Sequence, residues 1–423
     1  MYSDQNVQTF YLDPKTYVQG TDANSQGRVN FELDGEKLAY LPNMRLLNVG
    51  VSSNGVHIYN RLLGAYAIIR NIQLRDGNTM LSELNFAQMY RGFLNVNHPN
   101  AKNESVKSHM GCNSLGWTID GATRLVSRVE RINDTTANEA TTSLGYLDLR
   151  EVFPMLNSVS HLPTAVFKNL NIQIEFETGL ARQILRNITA TIATVRPILA
   201  CDVLENPAIV ARLNSSLQSA RWLEVEHDLF VIPTSALNGI GGAQNNVRQQ
   251  VNVKLQGFNG KHLERLLICK EIADSTKEIT GGVQTGFGRY SSQACYQQEL
   301  QCRVNGRNVF PSNGIVGNNE RTAFLIDSYG DFSAYPGFNK YGFANAANLV
   351  TDGAEYRGQL DYMGVYLGEY INDLQINYTR VGLQDATNLR PTTDQLNAHC
   401  YAEVAKQLVI RPDGSYIIQY SQN

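Results

Sequence analysis

The residue types that most often carry catalysis or bind metals are sparse in this sequence and rarely close together. Its seven histidines show no His-Glu-x-x-His spacing and its six cysteines form no Cys-x-x-Cys pair, so two common zinc-site patterns are missing. The tightest grouping of a histidine with carboxylates is Glu226-His227-Asp228, which falls in a predicted strand. Alternation along that strand places His227 on the face opposite its neighbours, which indicates a solvated or hydrogen-bonded side chain rather than a metal ligand.

Other catalytic signatures are missing as well. The stretch Gly281–Gly288 has neither the Lys-Ser/Thr pair of a phosphate-binding loop nor the helix that follows a dinucleotide fingerprint, so we interpret it as a flexible loop. No Gly-x-Ser-x-Gly motif is present, and no pair of carboxylates stands out for acid–base work. We therefore predict no catalytic residue, no cofactor and no metal, although glycosidase sites are often invisible in a single sequence.

Charge and cysteine usage narrow the class of protein. The 423 residues include 36 Lys and Arg against 39 Asp and Glu, a net charge of −3. This balance argues against a protein that gains affinity for nucleic acid by neutralising phosphates. The scattered cysteines are typical of buried free thiols made in a reducing compartment. The N-terminal residues do not resemble a signal peptide, and no apolar run is long enough to span a bilayer.

One stretch shows the clearest strand pattern in the chain. From Leu170 to Phe176 apolar residues alternate with Asn, Gln and Glu, the period of a strand with one buried face. A near copy runs from Leu374 to Tyr378, and the Ile-Gln-Ile of the first matches the Leu-Gln-Ile of the second at an offset of 202 residues.

Two further pairs of segments repeat in the same order. Phe31 and Leu33 correspond to Val251 and Val253 at an offset of 220, and an Arg-Leu-Leu triplet recurs at that same offset, beginning at Arg45 and at Arg265. The segments Ile72–Met80 and Gln301–Phe310 both break at an Asp-Gly or Asn-Gly turn. The ordered set predicts two copies of one β domain, each roughly two hundred residues long.

Helices and long loops are predicted between these strands. Asn206-Pro207 is a good helix start, Asn319–Tyr329 is a second helix, and Leu396, Cys400, Val404 and Leu408 recur every four residues behind a capping box. Two segments rich in Asn and Gly, Asn95–Leu144 and Tyr329–Arg357, hold matching places in the two copies. Connections of this length inside a compact domain are usually functional or decorative.

The strand motifs and their order resemble those of a viral family. HLPTAVFKNLNIQIEFET (161–178), its echo EYINDLQINYTRVGL (369–383) and the strand–turn–helix order of each half are similar to the double jelly-roll major capsid proteins. This lineage includes adenovirus hexon, tectiviruses, virophages, polinton-like viruses and large nucleocytoplasmic DNA viruses. The resemblance implies an all-β fold of two tandem eight-stranded jelly rolls, with a few short helices and long surface loops.

The resemblance also implies a domain plan. It places a first roll at 1–200 with a tower loop at about 95–144, and a linker helix at 201–219. A second roll at 220–385 carries a tower loop at about 329–357, and a C-terminal helix and hairpin occupy 386–423. The C-terminal segment has no family counterpart that we can assign.

The resemblance further implies a non-enzymatic protein of the virion, assembled inside the host cell. Its partners are other copies of the chain, as homotrimers of pseudo-hexagonal outline and then a lattice, together with penton and minor capsid or cement proteins. No sequence-specific nucleic acid is expected, and contact with an inner membrane is left open. We expect exposed aromatic residues of the second tower loop to lie at the subunit interface: Tyr329, Phe332, Tyr335, Phe338, Tyr341 and Phe343.

Two other classes of protein remain. A carbohydrate-binding or carbohydrate-active β-sandwich protein would place aromatic residues and carboxylates on one concave face, and Tyr329–Tyr341 is a candidate source of the aromatics. A viral fibre or minor capsid protein would more often be elongated and built from a single roll.

Overall fold

The computed structural model of the chain describes sixteen stretches of sequence, and all structural statements below refer to them. They are residues 7–21, 26–53, 57–59, 64–91, 117–120, 124–127, 141–178, 184–186, 192–217, 219–233, 248–273, 299–311, 314, 318–329, 362–381 and 395–421. The chain divides into two compact units. The first comprises the described residues up to Glu226 together with Ala405–Ser421, and the second comprises those of His227–Val404.

The first unit contains two large antiparallel sheets. One has seven strands: β1 (Val7–Leu12), β4 (Ala39–Tyr40), β5 (Arg45–Ser53), β11 (Thr141–Asp148), β12 (Leu162–Pro163), β15 (Ile192–Thr194) and β16 (Ile198–Leu204). The other has five: β2 (Thr16–Val18), β3 (Arg28–Glu32), β7 (Ile69–Asp76), β8 (Thr79–Asn85) and β13 (Leu170–Phe176). Two small pairs complete it: β6 (His57–Tyr59) with β14 (Ile184–Arg186), and β9 (Trp117–Asp120) with β10 (Arg124–Ser127).

The remaining strands also form two antiparallel sheets. One has five strands: β17 (Ser219–Ile232), β19 (Lys261–Ile272), β22 (Tyr362–Ile371), β24 (Leu396–Ile410) and β25 (Tyr416–Tyr420). The other has four: β18 (Arg248–Lys254), β20 (Glu299–Val304), β21 (Arg307–Asn308) and β23 (Leu374–Val381). The division between the two units falls within β17 and within β24.

The order of strands is the same in the two halves of the chain. The sequence β3-β13-β7-β8 in one sheet is repeated as β18-β23-β20-β21. In the other sheet of the first half, β1 pairs with β16, β16 with β5 and β5 with β11. In the second half, β17 pairs with β24, β24 with β19 and β19 with β22 in the same way. Eight of the described strands in each half therefore share one topology, which confirms the predicted duplication.

The register of the repeat differs from the predicted one by two residues. The amide of Leu33 donates to the carbonyl of Leu170, and the amide of Leu255 donates to the carbonyl of Leu374 in the same way. These bonds align the two copies at offsets of 222 along β3 and β18 and of 204 along β13 and β23, in place of 220 and 202. Because side chains alternate with a period of two, a shift of two leaves every apolar residue on its predicted face.

The arginine of the repeated Arg-Leu-Leu triplet pairs with a carboxylate on the neighbouring strand in both copies. Arg45 on β5 donates to the Asp202 carboxylate on β16, at 2.8 Å. Arg265, on the equivalent strand β19, lies 3.6 Å from the Glu403 carboxylate on β24. The arginine thus joins the same two neighbouring strands in each half.

The core of each unit consists of the inner faces of its sheets. Along β13 every second residue is buried, and Ile172 and Ile174 lie opposite Phe31 and Val29 of β3. In the second unit Ile376 and Tyr378 of β23 are fully buried in one cluster with residues of β19 and β24. Burial of one Ile or Leu side chain stabilises the fold by about 1.5–3 kcal/mol, because its apolar surface is removed from water. Burial of these faces therefore determines the register in which the strands pair.

The helices are few and short, as predicted. Helix α1 (Pro207–Ser216) begins at Asn206, whose side chain accepts from the amides of Ala208 and Ile209. Its Val210 lies in a buried cluster with Ala39, Leu41 and Leu204 of the first unit. Helix α2 (Asn318–Tyr329) is the second predicted helix. Residues 87–91 are also helical, and short 3-10 turns cover Gly64–Ile68, Leu149–Glu151, Pro154–Asn157 and Gln256–Phe258. No helix in the described stretches is long and apolar enough to cross a bilayer.

The predicted C-terminal helix is wrong, because Leu396–Ile410 forms strand β24. A spacing of four residues satisfies a strand as well as a helix, since every fourth residue also lies on one face of a strand. The residues between them, such as Ala398 and Ala402, are buried too. Pairing with β19 from Leu263 to Ile272 makes β24 a strand.

The C-terminal hairpin itself is present and belongs to the first unit. Strand β25 pairs with Lys406–Ile410 of β24. The Tyr416 hydroxyl donates to the Asp76 carboxylate at 2.8 Å, and the Tyr416 ring lies 4.9 Å from that of Phe167. The hairpin is therefore anchored to the last residue of β7.

Replacing Tyr416 with phenylalanine tests this anchor. The variant keeps the ring contact with Phe167 and loses the hydrogen bond to Asp76, so the free energy of unfolding should fall by about 1–2 kcal/mol. Urea denaturation followed by tryptophan fluorescence measures it, because both tryptophans, Trp117 and Trp222, belong to the first unit. Tyr11→Phe, at a side chain that is 67% exposed, is the matched control and should change little. Equal stability of the two variants would contradict the anchor.

Candidate functional site

The three residues of the Glu226-His227-Asp228 cluster have different hydrogen-bond partners. Glu226 lies 3.0 Å from the Lys406 ammonium and accepts from the Tyr420 hydroxyl at 2.8 Å. His227 shares a hydrogen bond with a second histidine, and Asp228 accepts from the amide of Leu229. These contacts tie the three side chains to different parts of the fold and fit structural roles.

The second histidine is His399, which the sequence did not single out. His227 Nε2 lies 3.0 Å from His399 Nδ1, and both rings pack against Tyr401. One imidazole must donate and the other accept, so the bond requires at least one neutral ring. His399 and Tyr401 are fully buried, which fits a structural pair within the second unit. Within the described ranges, no three His, Cys, Asp or Glu side chains are grouped so that they could hold a metal ion.

The described cysteines are free thiols and buried, as predicted: Cys201, Cys269, Cys302 and Cys400. Burial raises the pKa of Cys201 and of Cys302 to about 12 and raises that of Cys400 well above its ordinary value. A thiol with so high a pKa is protonated at neutral pH and is a poor nucleophile. Cys112 and Cys295 lie outside the described residues.

The predicted interface aromatics lie mostly outside the described residues. This is true of Phe332, Tyr335, Phe338, Tyr341 and Phe343. Tyr329 is described, ends helix α2 and is 5% exposed. Its ring lies 5.4 Å from the Arg265 guanidinium. The expectation that Tyr329 is exposed on the monomer is therefore wrong, because its helix packs the ring onto the sheet.

Of the tower loops, 330–357 lies outside the described residues, and 95–144 is described in part. That part contains the hairpin of β9 and β10, paired from Trp117 to Ser127, and the first residues of β11.

Exposed apolar side chains occur instead on edge strands. In the sheet of β17, β24, β19 and β22, the two outer strands are β17 and β22. Leu229 and Val231 of β17 are 39% and 45% exposed, and Tyr366 and Tyr370 of β22 are 54% and 44% exposed. Open strand edges with apolar side chains are suited to contact with another protein chain. These exposed side chains could not be predicted from the sequence, because alternation marks which residues share a face but not which strand lies at an edge.

Comparison with known proteins gives a match in structure but not in sequence. No protein-family model and no curated protein sequence matches the chain. A chain of the Sputnik virophage has a TM-score of 0.60 at 12% identity, over 99% of this chain and 89% of that one. The mavirus major capsid protein has a TM-score of 0.57 at 9% identity, over 99% and 91%. The Faustovirus major capsid protein has 0.54 at 8%, over 96% and 90%.

The chain has the double jelly-roll fold of these major capsid proteins. This agrees with the strand order, since each half of the chain carries the same two four-strand sequences. At such low identity the likeness establishes the fold alone, since one fold can serve many functions. The carbohydrate alternative is not favoured, because the described part of its candidate aromatic face, Tyr329, is buried in the double jelly roll.

Proposed function

We propose that this double jelly roll is a major capsid protein that forms trimeric, pseudo-hexameric capsomers of an icosahedral DNA virus shell. The observation that carries the proposal is the repetition of one eight-stranded topology in a single chain. Two similar rolls give each subunit two similar sets of edges, so three subunits offer six to their neighbours. The likeness in fold to the mavirus and Faustovirus major capsid proteins supports the same function.

The remaining features of the proposal follow from this function. The protein is a component of the virion, acts by self-assembly and carries no catalytic site. Penton and minor capsid or cement proteins complete the shell around it. The domain limits predicted from the sequence stay a proposal, as does the assignment of the aromatic residues 332–343 to the subunit interface.

Light scattering on the purified chain tests the assembly directly. We expect a particle of three times the chain mass at micromolar concentration and hexagonal outlines in negative-stain images. Deleting Tyr335–Phe343 removes the aromatic part of the second tower loop, and the trimer should dissociate at concentrations where the parent stays trimeric. The free energy of unfolding of the first unit, reported by its tryptophans, should be unchanged.

A deletion of equal length supplies the control. Removing Gly281–Arg289, which contains the stretch Gly281–Gly288 interpreted as a flexible loop, should leave the trimer intact. A parent chain that is monomeric at micromolar concentration would contradict the capsomer. A trimer that survives the aromatic deletion would contradict only the assignment of its interface.

A further inference from the structure

A buried carboxylic acid lies where strands of the first unit meet. Glu224, on β17, is 1% exposed. Its carboxyl oxygens accept from the Ser82 hydroxyl at 2.8 Å and the Glu83 amide at 3.3 Å, both on β8. A third bond, of 2.6 Å, comes from the indole N–H of Trp222. Three donors aimed at one buried carboxyl make a built polar site rather than an accident of packing.

The charged groups around Glu224 come from its own strand and from the C-terminal hairpin. Lys406 of β24 acts on Glu224 electrostatically and also lies 3.0 Å from Glu226. Tyr420 of β25 donates to Glu226, and its phenol is close enough to interact with Glu224. The Glu83 side chain is occupied elsewhere, since it accepts from Gln73 at 2.6 Å. Lys406 therefore faces two carboxyl groups.

The protonation of Glu224 depends on the folded state. Burial raises the pKa of Glu224 from its ordinary 4.5 to about 7, against the opposing effects of Lys406 and of the three hydrogen bonds. Between these two values the folded chain binds a proton that the unfolded chain has released. Stability from this group is thus fully present below pH 4.5 and is lost as the pH rises through about 7.

We propose that Glu224, Lys406 and Glu226 form a proton-operated lock on the C-terminal hairpin, residues 405–421. While Glu224 is neutral, the Lys406 ammonium pairs with the Glu226 carboxylate alone. Glu226 also accepts the hydrogen bond from Tyr420, so both strands of the hairpin are held to β17. When Glu224 ionises, its buried charge gains hydration only if a covering element moves away. The hairpin carries Lys406 and Tyr420, which both interact with Glu224, and terminal segments open at a lower free-energy cost than central strands, so the hairpin is the element expected to move.

Hydrogen exchange measured by mass spectrometry on the full chain tests the lock. The amides of β25 pair with β24 between Lys406 and Ile410, so their protection reports on hairpin opening. After correction for the intrinsic pH dependence of exchange, we expect protection of peptides from 411–421 to fall about tenfold between pH 6 and pH 8. Peptides from β13, at the centre of its sheet, should keep their protection over the same range.

Two variants separate the proton lock from simple packing. In Glu224→Gln the amide nitrogen cannot accept the Trp222 bond, so absolute protection falls, but its difference between pH 6 and pH 8 should vanish. In Lys406→Met the pKa of Glu224 loses the lowering effect of the ammonium, so the midpoint of the pH dependence should move upward. Glu32→Gln, at an exposed carboxylate that pairs with Lys15, should behave as the parent.

Each outcome decides the proposal. Equal protection of β25 at pH 6 and pH 8 in the parent would overturn it, and so would a tenfold fall that persists in Glu224→Gln. If that variant does not fold, Lys406→Met decides, since a midpoint that stays or moves downward is incompatible with a lysine acting on Glu224. An upward shift, with the parent behaviour kept in Glu32→Gln, supports the lock.

Discussion

Replacing Asp202 with alanine should lower the free energy of unfolding of the first unit by about 3–5 kcal/mol. The Asp202 carboxylate accepts from Arg45 at 2.8 Å, from the Thr9 hydroxyl at 2.7 Å and from the side chain of Asn43. It thereby joins β1 and β5 to β16. The Asp202 side chain is only 12% exposed, so its removal leaves the Arg45 guanidinium partly buried without this counter-ion.

Urea denaturation followed by tryptophan fluorescence measures this loss. Glu32→Ala is the matched control, because Glu32 also belongs to the first unit and pairs with Lys15, but its side chain is 48% exposed. Exposed pairs contribute about 0–1 kcal/mol, so the control should stay close to the parent. A loss below about 1 kcal/mol in Asp202→Ala would show that the three donors find water instead, and that the carboxylate does not hold the strands together.

Replacing Gly364 with valine should have the second large effect, this time in the second unit. A Cβ atom at Gly364 would lie 2.6 Å from Leu325 Cδ1, 2.7 Å from Ser328 Oγ and 2.9 Å from Tyr329 Cδ2. All three atoms belong to α2, so the absence of a side chain lets the helix pack directly on β22. Overpacking of this kind typically costs about 1–3 kcal/mol, and contact with three residues at once places the expected loss at about 3 kcal/mol.

Hydrogen exchange of peptides from α2 and β22 measures the effect where it arises. The rescue variant is Gly364→Val with Leu325→Ala, which removes the nearest of the three clashing groups. It should recover part of the lost protection, whereas Leu325→Ala alone should lower it by creating a cavity. If the two substitutions add without any recovery, the helix does not pack as closely over Gly364 as the structure indicates.

The topology could be predicted from the sequence because its signal is local and repeated. Alternation from Leu170 to Phe176 identified β13, and its echo identified β23. The two-residue error in register arose because Leu374-Gln375-Ile376 has two residues identical to Ile172-Gln173-Ile174, as many as to its structural equivalent, which begins at Leu170. Alternation cannot detect such an error, since the same face stays buried.

The features that were missed depend on partners distant in sequence. Glu224 and Asp202 look like ordinary strand carboxylates, and only folding brings Ser82 to the first and Thr9 to the second. Helix prediction failed at β24 for a related reason. A four-residue apolar spacing is compatible with either structure, and the strand β19 that decides between them lies more than a hundred residues earlier.

The division of the chain has a consequence for its synthesis. Because Ala405–Ser421 belongs to the first unit while His227–Val404 forms the second, the later unit is an insertion within the earlier one, not a tail attached to it. On the ribosome, where folding proceeds from the N-terminus, all eight strands of the first roll emerge by residue 204, whereas the hairpin residues that pack with this unit emerge only after residue 404. A nascent chain that stops before residue 405 therefore contains the strands of the first roll but lacks Tyr416, which donates to Asp76 and contacts Phe167.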